Sequence, residues 1–107
     1  MESRYIVHSL RNTNNSPKSC SLRMALAYLL NKKGHSIPHI ASALGVPYST
    51  VSKGIDRTRK LVDVKDKFIM EAIDIFSTHI IDVFAYFEKD GLYYKLKFYI
   101  KIDNIKL

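Results

Sequence analysis

The stretch SIPHIASALGVPYSTVSKGIDRTRKL, residues 36–61, carries two helix signals separated by a glycine and a proline. Ser36 is a typical N-cap residue. Pro38 suits the first helical turn, because the amide that it lacks would have no intrahelical partner there. The apolar spacing that follows predicts a helix over residues 37–44, and Gly45 is expected to end it. The segment therefore predicts one short helix, a tight turn and the start of a second helix.

The next helix is predicted to begin near Tyr48 and to continue to about residue 61. Two short helices joined by a tight turn at a glycine form a helix-turn-helix, whose second helix enters the major groove of DNA. A helical hairpin that packs only on its own core would need the same apolar spacing. It would not explain why the outward positions are Tyr, Ser, Thr, Lys and Arg with a single acid. Nucleic-acid binding is the favoured interpretation. The inward residues are Val51, Ile55 and Leu61, and the outward cations are Lys53, Arg57 and Lys60.

Helical patterns also flank this unit. Apolar spacings of three and four predict a helix over about residues 21–33, and Gly34 fits a left-handed cap after it. A further helix is predicted over about residues 65–78. Residues 1–19, with the β-like run RYIVH and the Asn, Ser and Pro residues that follow, are expected to form an arm or loop with a short strand.

The C-terminal region has the pattern of a β-hairpin. From Leu92 onwards apolar and polar residues alternate, as in a half-buried strand, and Asp90-Gly91 is a hairpin turn signal. We predict strands over about residues 80–88 and 92–102. One long amphipathic helix reaching residue 88 is the alternative, because apolar residues there also recur at helical spacing.

These elements together predict a mainly α, α+β fold. A bundle of about four helices with a helix-turn-helix would form a DNA-binding domain over residues 20–79, and residues 80–107 would extend it as a β-hairpin. The open edge of that hairpin makes it the expected dimerisation element of a homodimer.

Charge is divided unevenly along the chain. Residues 1–62 contain ten Lys and Arg against two acids, a net charge of +8, whereas residues 63–107 carry a net charge of −1. Such asymmetry is typical of a protein with one surface that meets phosphate. No apolar run approaches the roughly 20 residues of a membrane span, so we expect no membrane partner and a cytoplasmic protein.

A family resemblance rests on three segments: LRMALAYLL, SIPHIASAL and GVPYSTVSKGIDRTRKL. Together they resemble the C-terminal DNA-binding domain of the bacterial replication initiator DnaA, a Trp-repressor-like helix-turn-helix. The resemblance covers roughly residues 18–79. Where the family has Asp-His-Thr-Thr-Val, this chain has Pro47-Tyr48-Ser49-Thr50-Val51 after a turn one residue shorter. The nucleotide-binding domain of that initiator has no counterpart here, since the chain lacks a GxxxxGK[ST] loop.

The resemblance implies roles for particular residues. Tyr48, Ser49 and Thr50 match positions that read bases in the major groove, and Ile37 and Pro38 match positions that lie against the sugar-phosphate backbone. The family inserts an arginine from a basic loop into the minor groove, and either Lys18 or Arg23 could correspond to it. From charge and placement we expect Lys53 to contact both bases and phosphates, and we expect Lys18, Arg23, Arg57 and Lys60 to contact phosphates. The resemblance adds Ile37 and Pro38 to the predicted phosphate contacts.

Metal binding, catalysis and binding of single-stranded nucleic acid have weaker support from the sequence. His35 and His39 are four residues apart, but the sequence places no third metal ligand beside them. Cys20 lacks an orienting acid and an oxyanion hole. The run YYKLKFYIK could stack single-stranded bases, although a strand with lysines guarding its outer face is the favoured interpretation. We therefore predict no enzymatic activity, no cofactor and no metal site.

Two functional hypotheses follow. The first is a sequence-specific double-stranded DNA-binding protein, acting as a small transcriptional regulator or replication-origin accessory factor of a phage or other mobile element. The second is a protein-interaction adaptor that uses the helix-turn-helix as a scaffold and the C-terminal hairpin as its partner surface.

Overall fold

Four helices and a two-stranded antiparallel hairpin follow one another in the computed structural model, which describes residues 16–103 without the side chains of residues 80 and 103. This arrangement confirms the predicted α+β class. The predicted short strand and most of the N-terminal arm lie outside the described residues. None of the helices described is both long enough and apolar enough to span a bilayer. The elements are α1 (Pro17–Lys32), α2 (Ile37–Leu44), α3 (Tyr48–Asp63), α4 (Lys67–Ser77), β1 (Ile80–Asp90) and β2 (Tyr93–Asp103).

Helix α1 begins at Pro17, four residues before the predicted start. The Ser16 hydroxyl caps the helix by accepting a hydrogen bond from the Ser19 amide at 3.2 Å. The prediction placed this segment in a loop because serine and proline are common turn residues. Here they form an N-cap and a first helical turn, the same combination that begins α2 at Ser36.

Helices α2 and α3 form the predicted helix-turn-helix. The Ser36 hydroxyl accepts a hydrogen bond from the His39 amide at 3.4 Å, which fixes the start of α2. Gly45 ends that helix in the left-handed conformation, with φ of 70°. The Val46 amide then bonds the Ala41 carbonyl at 3.1 Å. Only three residues separate the two helices, so the turn holds α3 in a fixed orientation against α2.

Helix α3 crosses α1 at close range through Gly54. A Cβ atom at Gly54 would lie 2.0 Å from the Met24 sulfur, so the glycine allows this approach. Val51 and Ile55 are buried, as predicted. Thr58 is also buried, and its hydroxyl donates to the Gly54 carbonyl at 2.8 Å. The inward face of α3 thus includes a polar residue whose hydroxyl is hydrogen-bonded, and the spacing of the apolar residues did not indicate it.

Helix α4 is shorter than predicted at both ends. Asp66 caps its start by accepting a hydrogen bond from the Ile69 amide at 3.1 Å. The preceding turn needs a positive φ, which Lys65 adopts at 55°. The helix ends at Ser77 and β1 begins at Ile80. The alternative of one helix reaching residue 88 is therefore wrong, because the β-branched and aromatic residues from Ile80 onwards pair as a strand.

The predicted hairpin is confirmed, with β1 two residues longer than predicted and β2 shifted by one residue. Eleven cross-strand pairs run without interruption along β1 and β2. Gly91 and Leu92 form the loop between them. Gly91 has φ of 61°, which suits the glycine that two-residue hairpin loops favour at their first position. The continuous register means that alternate residues keep to one face along the whole hairpin.

The core is centred on α1, which packs against the other helices and β1. Full burial of a Leu, Ile or Phe side chain stabilises a fold by roughly 1.5–3 kcal/mol. The buried apolar side chains of the core therefore hold α3 and its turn in place. Val83, Ile100 and Ile102 dock the near half of the hairpin against this core. The large apolar side chains with almost no exposure are Leu22, Leu26, Leu30, Ile40, Val51, Ile69 and Phe76.

The far half of the hairpin departs from the prediction of a half-buried strand. On the face that turns towards the helices, Tyr94 and Leu96 are 69% and 50% exposed. The reason is length: an eleven-residue strand spans about 36 Å, whereas the eight-residue α2 beside it spans about 12 Å. The alternating pattern indicated the strand correctly but gave no information on how much of it is covered.

Candidate nucleic-acid interface

The first turn of α3 presents polar side chains to solvent. Tyr48 is 56% exposed, and Ser49, Thr50 and Lys53 are also exposed. Pro47 is the N-cap, and no side chain bonds the first amides of the helix. Amides at a helix start that lack a cap can bind an anion, helped by the positive end of the helix dipole. This end of α3 therefore offers hydroxyl, ammonium and amide groups on one accessible surface.

The cations further along α3 are also exposed, although an acid engages two of them. Asp56 accepts contacts from Lys60 Nζ at 3.3 Å and from Arg59 Nη1 at 3.5 Å. All three side chains are more than half exposed, so these ion pairs contribute less than about 1 kcal/mol each. A DNA phosphate could therefore compete for Lys60. Arg57 is exposed on the same helix.

A cleft of about 350 Å³ lies between α1 and the first half of α3. Thr50, Lys53 and Arg57 line it from α3, and Cys20 and Arg23 line it from α1. Three of these residues are cations, and the described lining contains no acid. A concave surface lined by charges of one sign raises the local potential and attracts counter-charges. The cleft thus brings a predicted base-reading residue and three predicted cations together.

Arg23 occupies a different position from the one predicted. It is only 3% exposed, and its Nη2 lies 3.3 Å from the Cys20 sulfur. A direct phosphate contact from the surface does not fit this placement, because the guanidinium belongs to the wall of the cleft. Lys18, the other candidate for the basic-loop role, is exposed on the first turn of α1. Of the two cations, Lys18 is the one in a position to meet a DNA backbone.

Of the two residues at the start of α2 that were predicted to contact the sugar-phosphate backbone, one is accessible. Pro38 is exposed, whereas Ile37 is half-buried and packs against the core. His39 follows on the surface, but its ring stacks on Phe98 with centroids 4.6 Å apart. This contact links α2 to the hairpin. The structure therefore leaves Pro38 as the main surface of this helix start for a sugar-phosphate contact.

The ion pairs of Asp56 are not among the features predicted from the sequence. Within the predicted range of the helix, residues 48–61, Asp56 is the one acid. Its spacing of three and four residues from Arg59 and Lys60 is the spacing at which helix side chains pair, so the sequence carried this signal. The acid reduces the positive charge that α3 can offer to a phosphate.

His35, His39 and Cys20 have structural partners. His35 Nε2 lies 3.0 Å from Asp82 Oδ1, which connects the start of α2 to β1. Cys20 is partly exposed and contacts Arg23. Within residues 16–103, no three His, Cys, Asp or Glu residues gather in the arrangement of a metal site.

The outward face of the hairpin carries a cluster of aromatic rings. Tyr99 lies 5.6 Å from both Phe84 and Tyr86 between ring centroids, and Lys101 lies over the Phe84 ring at 5.9 Å. Cross-strand aromatic pairs of this kind stabilise a hairpin. Lysines and aromatic rings in mutual contact therefore share the outer face of the hairpin.

A comparison of the chain with protein-family models, with curated proteins and with solved structures found no match. The resemblance to the DnaA domain remains a prediction carried by the three quoted segments.

Proposed function

We propose that this chain is a sequence-specific double-stranded DNA-binding protein that inserts α3 into the major groove. The resemblance to a replication-initiator domain supports a role as a small transcriptional regulator or replication-origin accessory factor of a phage or other mobile element. A duplex-DNA target implies that the protein acts in the cytoplasm of a bacterium or of an infected host.

One observation carries the proposal: the exposed polar start of α3 lies beside a cleft lined by cations. Serine and threonine hydroxyls donate to or accept from base edges, and the threonine methyl group can meet the methyl group of thymine. Cations neutralise phosphates and set the position of the helix without reading sequence. The proposed base contacts are Tyr48, Ser49, Thr50 and Lys53, and the proposed backbone contacts are Lys18, Pro38, Arg57 and Lys60.

The experiment begins with selection of bound duplexes from a random pool. The Kd of the wild-type protein is then measured for a selected duplex and for a scrambled duplex at several salt concentrations. A specific binder prefers the selected duplex by at least about tenfold, since each good base contact discriminates by about 1–3 kcal/mol. Selection that enriches no sequence, with equal Kd for both duplexes, would remove the claim of specificity.

Two variants separate base reading from backbone binding. Replacing Ser49 and Thr50 by alanine is expected to erode the preference for the selected duplex. The matched change Arg57→Ala is expected to weaken both duplexes by about the same factor, because a phosphate contact carries no sequence information. Both sites are exposed, so the fold is retained. Equal loss of preference from both changes would contradict the assigned roles.

The adaptor hypothesis is the second candidate, and the exposed far half of the hairpin favours it. Phe87 and Leu96 are large apolar residues exposed on a projecting element, which is typical of protein contact surfaces. The salt series distinguishes the two hypotheses. Absence of binding to any duplex at low salt would favour the adaptor.

A further inference from the structure

The far half of the hairpin has little cover from the rest of the described chain. Phe87 and Leu96 face each other across the ladder on the side that turns towards the helices, and they are 71% and 50% exposed. The next residues on both strands are exposed as well. A two-stranded hairpin without cover is marginally stable in water. This half therefore gains stability from an additional strand or surface.

The two edges of the hairpin differ in charge. Along β2, Lys95, Lys97 and Lys101 recur at alternate positions, and edge lysines discourage pairing with another strand. Two β2 edges brought together would also set these cations close to one another. Residues 83–87 of β1 contain no charge. The β1 edge is thus the one suited to pairing.

The backbone direction along β1 follows from two contacts. The Ile81 carbonyl accepts a hydrogen bond from Lys33 Nζ at 3.2 Å, and the Val83 amide donates to Asp82 Oδ1 at 2.8 Å. Both groups bond side chains, so they point away from β2. In a continuous antiparallel ladder every second residue turns its backbone groups to the same side. Residues 85, 87 and 89 therefore present their amides and carbonyls at the open edge.

We propose that two copies of this chain associate by antiparallel pairing of their β1 strands about a twofold axis at Phe87. The product is a four-stranded sheet with the order β2, β1, partner β1, partner β2. In this register Phe87 lies opposite the partner's Phe87, and Ala85 lies opposite Lys89 of the partner subunit. Three residues of each copy then exchange backbone hydrogen bonds across the axis.

Neighbouring registers are less favourable. Moving the axis to Glu88 would set two glutamates directly opposite each other, which is destabilising. With the axis at Tyr86, the Val83 amide would have to bond the partner strand, but it already donates to the Asp82 carboxylate. The axis at Phe87 avoids both conflicts, because it uses only the part of the edge beyond these side-chain contacts.

The surface area that the β1 pairing would bury indicates how strongly the two copies should associate. With roughly 150–250 Å² for each aromatic side chain, the uncovered apolar part of β1 and its neighbours contributes about 500–600 Å² per copy. The total of about 1,000–1,200 Å² lies at the lower limit of specific interfaces, so we expect a weak dimer. The pairing is independent of DNA binding, although twofold symmetry would also relate two α3 helices as a palindromic site requires.

The test is sedimentation equilibrium of the full chain from about 5 to 500 μM, a range in which weak association is detected. The wild-type protein is expected to show a monomer-dimer equilibrium. Phe87→Glu puts two like charges at the axis and is expected to raise the dimer Kd by at least about tenfold. Leu92→Glu makes the same charge change in the hairpin loop and is expected to leave the Kd within about twofold. Circular dichroism and urea midpoints verify that both variants fold.

A covalent test fixes the register. In a Cys20→Ser background, Phe87→Cys is expected to form a disulfide-linked dimer under mild oxidation, because directly opposed strand residues lie within disulfide range. Tyr93→Cys, on β2, is the matched control and is expected to stay largely monomeric. A monomer throughout the concentration range, a dimer that Phe87→Glu leaves intact, or equal crosslinking of both cysteine variants would overturn the proposal.

Discussion

Replacing Asp56 by asparagine is expected to tighten binding to every DNA duplex. Asp56 holds Lys60 and Arg59 in exposed ion pairs and places a negative charge within the proposed interface. The substitution keeps the size of the side chain and removes the charge. It therefore frees two cations and removes repulsion of the phosphates, while leaving the base-reading residues unchanged.

The magnitude follows from Coulomb's law. A unit charge about 8 Å from a phosphate repels it by about 0.5 kcal/mol in water and by about 2 kcal/mol at an effective dielectric constant of 20. An intermediate value of about 1 kcal/mol corresponds to about fivefold tighter binding. The four cations proposed to contact the DNA, Lys18, Lys53, Arg57 and Lys60, give a slope of log K against log salt of about −3.6, and release of Arg59 as a fifth would steepen it to about −4.5.

Fluorescence anisotropy with a selected duplex and a scrambled duplex measures both quantities. Asp74→Asn is the matched control, because it removes the same charge from an exposed position on α4, outside the proposed interface. The control is expected to change the Kd by less than about twofold, since separated surface charges are screened. An Asp56→Asn variant with unchanged or weaker binding, or the same effect from both variants, would refute the reasoning.

Two further predictions concern the fold that positions α3. Gly54→Ala is expected to destabilise the protein by about 1 kcal/mol, because displacing the Met24 side chain costs more than alanine gains in helix propensity. Urea unfolding measures this change in the free energy of unfolding. Adding Met24→Ala removes the clash and should recover the stability that the clash costs. Lys65→Gly is expected to stabilise the protein by about 1 kcal/mol, since Lys65 adopts a positive φ that glycine tolerates. A lower urea midpoint for that variant would count against the backbone-strain argument.

The sequence was most informative where local chemistry decides the structure. The Ser36 cap, the left-handed Gly45 and the start of α3 all follow from residues that interact within a single turn. The same signal at Ser16 and Pro17 also predicts a loop, because serine and proline are common in turns. Local patterns thus specified the helix-turn-helix and left one helix start ambiguous.

Features that depend on contacts between elements were not accessible from sequence. Nothing local to Arg23 shows that the residue is buried, and the spacing of α1 alone does not reveal the cleft. The close approach at Gly54 depends on the angle at which the two helices cross. The exposure of Leu96 depends on the length of the helix beside it. Each requires the assembled fold, because burial is a property of neighbours distant in sequence.

The central claim is that the start of α3 reads bases through the major groove, and base analogues in a selected duplex test it most directly. Replacing guanine or adenine by its 7-deaza analogue removes a major-groove acceptor, whereas replacing guanine by inosine removes a minor-groove donor. We expect 7-deaza substitution to weaken wild-type binding by at least about tenfold at one or more positions, and to have a smaller effect once Ser49 and Thr50 are alanine. Wild-type binding that responds only to inosine, or an unchanged response to 7-deaza bases in the alanine variant, would contradict the claim.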